Sequence, residues 1–176
     1  MTEGVAEGPS ALLNGLGFAG GMMYTHHMST HAKAAPRPCC CTTVRRTSRV
    51  LARVFDAALE RSGMNVKQLA VLRAIERHEG EALTRVATDL CMDRTSLYRA
   101  IGTMERGGWV KTSDGPTARA RTAHITALGL RALAAADRGW SKTQTAVVEG
   151  FGRERWSSLV KTLEELAACA EQAHGI

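Results

Sequence analysis

Between Arg94 and Arg106 the apolar residues Leu97, Ile101 and Met104 share one narrow helical stripe, while Arg94, Thr95, Ser96, Tyr98 and Arg99 fall outside it. Spacings of four and three residues return side chains to one side of an α-helix, so this helix buries a single edge and keeps a free polar face near its N-terminus. Thr95, Ser96 and Arg99 come to one side of it. Hydroxyls there can meet phosphate or base edges, and a guanidinium can grip guanine in a fork. Asp93, just before the helix, is placed to cap it by accepting from its free amides.

The neighbouring segments limit what such a helix can belong to. Val66, Leu69, Leu72 and Ile75 mark a helix over about 65–76 with Lys67, Gln68 and Arg73 outward, and Leu83, Val86, Ala87 and Leu90 mark a short one ending near Cys91. Two short helices therefore flank a tight turn before residue 94. After Gly107-Gly108, residues 109–112 read as a strand, Ser113-Asp114-Gly115-Pro116 as a turn, and residues 121–126 alternate as a returning strand. This hairpin carries Lys111, Arg119 and Arg121 and is basic. A helix pair with a polar-faced second helix, followed by a basic hairpin, is the order that sets a helix in a major groove and a loop beside a minor groove.

Outside this lobe, Val44, Val50, Leu51, Val54, Phe55 and Leu59 recur at helical spacing and stop at Ser62-Gly63. A long helical region begins at Thr126 and runs to about Val148, and a last helix carries Trp156, Leu159, Val160, Leu163 and Leu166. These helices hold more apolar surface than a small helix-turn-helix needs, which points to association between subunits. The fold class expected is mainly α: a winged helix-turn-helix with a short β-hairpin wing and a helical dimerisation region. Its organisation is a leader over 1–38 rich in small residues, a lobe over 64–126, and dimerisation helices over 39–62 and 127–173.

Composition narrows the partner. The 176 residues carry a formal net charge of +6, which suits a polyanion because Lys and Arg release counterions condensed on phosphates. Eight aromatic residues are too few for the stacking platforms of a single-strand binder, so double-stranded DNA is the better match. The apolar stretch over 11–24 is interrupted by Asn14 and several glycines, follows Glu3 and Glu7 rather than a basic start, and is too short to span a bilayer. No membrane association and a cytoplasmic location are expected. No Ser-His-acid set, Gly-rich phosphate loop or paired carboxylates point to an enzyme, and no cofactor is implied.

The run Asp93-Arg94-Thr95-Ser96-Leu97-Tyr98-Arg99, followed by Met104-Glu105-Arg106-Gly107-Gly108-Trp109-Val110, resembles the recognition helix and wing entry of the multiple antibiotic resistance regulator (MarR) family. Asp114 with Arg119 is similar to that family's wing tip, and Ile125-Thr126 with Gly129 to the entry of its dimerisation helix. Gly63-Met64-Asn65-Val66-Lys67-Gln68 with Leu72 resembles the start of its second helix, so the likeness covers about residues 39–173. The resemblance implies a homodimeric DNA-binding regulator, a repressor relieved by a small-molecule or oxidant effector held between the dimer interface and the DNA-binding lobes. It matches Arg119 to the minor-groove arginine, with Arg121 in reserve. This wing departs from the family in having Gly115-Pro116-Thr117-Ala118 where adjacent charges usually stand.

Five cysteines, three of them adjoining at Cys39, Cys40 and Cys41, do not make a secreted disulfide framework. At the start of the first helix, with Arg45 and Arg46 nearby, these thiols are candidate redox groups, because the helix dipole favours a thiolate. His26, His27 and His31 with this cluster offer metal-ligand types, but their spacing fits no compact zinc pattern and no metal site is assigned. A metal- or thiol-responsive sensor using Cys39 to Cys41 is the alternative function.

Overall fold

A computed structural model describes residues 38–115 and 120–174. The leader expected over residues 1–38 falls, up to residue 37, outside the described residues, as does Arg119 at the wing tip.

Among the described residues six α-helices and one hairpin follow in the order α1 (Cys40–Leu59), α2 (Val66–Arg77), α3 (Leu83–Asp89), α4 (Arg94–Arg106), β1 (Val110–Asp114), β2 (Arg121–Ile125), α5 (Ala127–Phe151) and α6 (Arg153–His174). A single 3-10 turn, Glu60–Ser62, closes α1. Local chemistry explains where the helices begin. Asn65 and Gln68 form a reciprocal capping box at 2.9 Å in both directions, satisfying two backbone donors that the first turn of α2 leaves free. Asp93 caps α4 by accepting from the Ser96 amide at 2.8 Å. Between α3 and α4 the chain turns through Cys91, whose φ of 48° lies in the left-handed region that non-glycine residues seldom adopt.

One core holds the lobe together. Leu97, Ile101 and Met104 of α4 pack with Leu69, Leu72 and Ile75 of α2, with Leu83 and Val86 of α3, and with Val110 and Ala123 of the hairpin. Leu59 joins from α1, and Leu133 and Ala136 from α5. The hairpin is antiparallel, registered from Val110 opposite Ile125 to Asp114 opposite Arg121. Asp114 thus ends a strand, where the sequence suggested a turn, because the cross-strand ladder continues two residues past Thr112. Likewise α5 continues to Phe151, past Val148, and ends where Gly152 adopts φ 100°.

Arg73 departs from its expected outward position. It lies half-buried against α5, with Nη2 2.5 Å from Asp137 Oδ1 and its guanidinium 3.9 Å from the Trp140 ring centroid. Helical periodicity assigned it to the solvent side, but α5 packs over that side of α2.

Thr126 joins the wing to the long helix. Its hydroxyl donates to the Gly108 carbonyl at 2.6 Å and accepts from the Gly129 amide at 3.0 Å, while its own amide donates to the Trp109 carbonyl. Two glycines then let α5 lie directly on other backbone: a Cβ at Gly129 would overlap the Trp109 carbonyl oxygen, and one at Gly139 would overlap that of Ala58 in α1. By contrast a Cβ at Gly150, also in α5, would meet nothing within 4 Å.

Two alanine substitutions on α5 should therefore change stability in opposite directions. Gly139→Ala should destabilise by about 1–3 kcal/mol through overpacking against α1, and Gly150→Ala should stabilise by up to about 1 kcal/mol through helix propensity. Denaturant unfolding of both variants checks this; a stabilised Gly139→Ala would show that α1 and α5 do not cross as closely as described.

Candidate nucleic-acid interface

The exposed side of α4 is built by what its other side buries. With Leu97, Ile101 and Met104 turned into the core, Arg94, Thr95, Arg99, Thr103 and Arg106 face outward. Arg94, Thr95, Tyr98, Arg99, Gly102, Thr103 and Arg106 line a shallow concavity of about 640 Å³ along the helix. A second, of about 310 Å³, lies between α4 and the start of α2 and is lined by Lys67, Gln68, Ser96, Arg99 and Thr103, among others. Arg99 and Thr103 border both.

Each residue singled out from the sequence has a distinct place on this face. Thr95 borders the first concavity and Ser96 the second, with Arg99 common to both. Ser96 shares its hydroxyl and amide with Asp93, and this hydrogen bonding holds the Asp93 carboxyl below the ordinary carboxylate range. Tyr98 is half-buried and packs against the core while its edge reaches the first concavity. Lys111 is exposed on β1, opposite His124.

Arg121 is tethered. Its Nη2 donates to Thr112 Oγ1 at 2.6 Å, and Thr112 in turn donates through its hydroxyl (2.7 Å) and its amide (3.0 Å) to Glu105 Oε1 at the end of α4. The Thr112 hydroxyl and amide, helped by the Arg121 charge, hold the Glu105 carboxyl below its ordinary value. Glu105, Thr112 and Arg121 thus clamp the hairpin to the end of α4.

Sequence reasoning missed Lys67, Thr103 and Arg106 as members of this face. Thr103 and Arg106 stand four and seven residues after Arg99, so the helical repeat could have found them. Lys67 had no such signal, since only the packing of α2 against α4 brings it alongside.

The electrostatic contrast with the rest of the lobe is clear. Arg73, Arg77 and Arg85 each meet a carboxylate, at Asp137, Asp89 and Glu81 respectively. Among the described residues, Arg94, Arg99 and Arg106 meet none within ion-pair distance. Three guanidiniums on one helix face thus keep their charge available for an external anion.

Cys39, Cys40 and Cys41 are exposed at the start of α1, and Cys91 and Cys169 are exposed elsewhere. Hydrogen bonds from the Thr42 hydroxyl and amide hold the Cys39 thiol below its ordinary pKa. Among the described residues, no group of three or more His, Cys, Asp or Glu side chains could hold a metal ion, and no helix is long and apolar enough to cross a membrane. His26, His27 and His31 lie outside the described residues.

A helix-turn-helix whose second helix presents unpaired arginines, with a hairpin clamped to its end, defines a winged helix-turn-helix DNA-binding transcriptional regulator. Residues 66–114 match the family described as the IclR helix-turn-helix domain, a span from the start of α2 to the end of β1. Over a much larger share of the chain, the structure of the M. tuberculosis transcriptional regulator MosR in complex with DNA is similar at 30% identity and a TM-score of 0.72, covering 78% of this chain and 99% of that one. A MarR-family transcriptional regulator from Rhodococcus (20% identity, TM-score 0.61, 73% of this chain and 93% of that one) shares the fold. So does S. aureus MepR in its DNA complex (15% identity, TM-score 0.66, 76% and 99%). A comparison with curated protein sequences finds no match. The chain belongs to the MarR family of transcriptional regulators. The IclR match is confined to the helix-turn-helix and first wing strand, a module the two families share.

The wing clamp has a pH signature. A carboxylate whose folded pKa is depressed stabilises the fold above its unfolded pKa, and this contribution is lost as pH falls through the folded value. The stability difference between wild type and Glu105→Gln should therefore be fully present above the ordinary 4.5 of Glu105 and vanish as pH drops through the lowered pKa. Denaturant unfolding across that range checks it, and a difference independent of pH would detach the carboxylate charge from the clamp.

Proposed function

We propose that two copies associate through α1, α5 and α6 and bind an operator in double-stranded DNA, acting as a repressor released by an effector. The observation that carries this reading is the row of Arg94, Arg99 and Arg106 on α4, three guanidiniums without a carboxylate partner among the described residues. On this reading α4 enters the major groove, where Arg99 and Thr95 reach base edges and Arg94, Arg106, Lys67 and Ser96 meet phosphates. Tyr98 supports Arg99 from the core side. Lys111 and Arg119 approach the neighbouring minor groove, and Arg121 orients the wing through Thr112 and Glu105. The DNA complex of MosR supports duplex DNA as the partner.

A dimer is supported by surface that one copy leaves uncovered. Val44, Val50, Val54, Leu163 and Leu166 are exposed, and α6 has no buried residue among those described over 153–173. A helix of that length gains little from propensity alone and relies on packing. Two copies joined there would present two α4 helices to successive major grooves.

The effector has a candidate location in a cleft of about 590 Å³ bounded by α1, α5, α6 and the first residue of α2. Occupying it would bias the angle between the dimerisation helices and the lobe that carries α4. S. coelicolor PcaV in complex with its natural ligand is among the similar structures, which supports ligand response within this fold.

Arg99→Ala should weaken operator binding by roughly 1–3 kcal/mol while changing random-sequence binding far less, and sedimentation should give twice the 18.9 kDa chain mass. A monomer with full operator affinity would overturn the reading. An equal loss on both DNAs would make Arg99 a phosphate contact.

A second reading is favoured by the exposed Cys39 thiol, which Thr42 holds toward its thiolate. Peroxide would oxidise that thiolate by two electrons to a sulfenate, itself reduced to water, and the new group would disturb the dimer seam at α1. On this reading mild peroxide weakens operator binding, a reductant restores it, and Ser at Cys39, Cys40 and Cys41 removes the response. Peroxide-insensitive binding by the wild type would leave the small-molecule reading alone.

A further inference from the structure

We propose that the cleft between α1, α5 and α6 takes an uncharged, mainly apolar ring compound bearing one or two hydrogen-bonding groups, and discriminates against carboxylates. This rests on the reading of the cleft as an effector site and adds the chemistry of the ligand. The volume of about 590 Å³ lies in the range of small-molecule sites. Its walls are Leu51, Phe55, Val66, Trp140 and Leu159, half-buried or buried already, so they form a concavity and not a convex docking face. Val44 and Leu163, more exposed, stand at its mouth, where a second copy would close the cleft without filling it.

The polar groups in the lining decide the ligand's charge. They are the hydroxyls of Thr43, Thr47 and Ser48 and the amide of Gln144; among the described residues no Arg, Lys, His, Asp or Glu lines the cleft. Thr43 and Thr47 already donate to the carbonyls of Cys39 (2.9 Å) and Thr43 (3.1 Å). Ser48 and Gln144 are left to address a ligand. Two charged groups beside the walls are engaged: Arg73, stacked on Trp140, pairs with Asp137 at 2.5 Å, and Asp56 accepts from the Val66 amide at 2.7 Å. A carboxylate entering this space would lose its water without gaining a countercharge, whereas an amide, ester or phenol would lose little and could pair with Ser48 or Gln144.

Matched probes separate these cases in the full-length protein. Calorimetric titration near neutral pH compares 2-naphthamide with 2-naphthoate, and anthracene-9-carboxamide with its carboxylate, on wild type, Ser48→Trp and Gln144→Arg. We expect each amide to bind at least about tenfold more tightly than its carboxylate. Ser48→Trp should abolish amide binding by filling the cleft, and Gln144→Arg should reverse the preference by supplying a countercharge, with folding of both confirmed by thermal unfolding. Carboxylates that match or exceed the amides on wild type would overturn the proposal. So would an unchanged preference in a folded Gln144→Arg, or no amide binding at about 1 mM, the result expected if a partner helix fills the cleft. Operator affinity measured with and without amide reports separately on the effector role: an amide that binds without changing DNA affinity supports the ligand class while removing that role.

Discussion

Two side-chain-free contacts on α5 set the geometry on which the rest of the molecule depends. At Gly129 the helix rests on the carbonyl of Trp109, where α4 passes into the wing, and at Gly139 it rests on the carbonyl of Ala58 in α1. Between them Leu133 and Ala136 enter the common core. One rod thereby touches the wing, the core and the first helix in succession. Thr126 fixes where the rod starts, because its hydroxyl bridges the Gly108 carbonyl and the Gly129 amide. Any tilt of α5 must therefore be felt at both the wing and α1.

On that frame, charge is distributed unevenly. Where arginines serve the fold they are neutralised locally, as Arg73 is by Asp137 and Arg77 by Asp89. Along α4 they are not. An unpaired guanidinium at the surface stays hydrated and costs the fold little, so it remains ready for an external phosphate or base. The wing shows the intermediate case: Arg121 donates to Thr112, which in turn donates to Glu105.

The contact of Arg73 with Asp137 and Trp140 also connects the DNA-binding lobe to the long helix that follows it, since Arg73 belongs to α2 and its partners to α5. Trp140 and Val66 meet the same cleft from those two elements. A ligand there would touch both sides of the joint, the requirement for binding energy to bias one arrangement of α2 and α5 over another.

What the sequence determined by itself was local. The stripe of Leu97, Ile101 and Met104, the Asp93 cap, the hairpin and the order of elements depend on neighbours within a few residues, and periodicity and capping chemistry report such neighbours directly. Arg94, Thr95 and Arg99 were legible on the same grounds. Tertiary packing decided the rest. It turned Arg73 inward, because α5 covers the side of α2 that periodicity leaves to solvent, and it brought Lys67 beside Arg99. It tied Arg121 to Glu105 through Thr112, and it assembled a cleft from residues as far apart in sequence as Thr43 and Leu163. Such contacts join segments many residues apart, and no local pattern encodes them, because their energy arises only once the α5 rod has set the distances between helices.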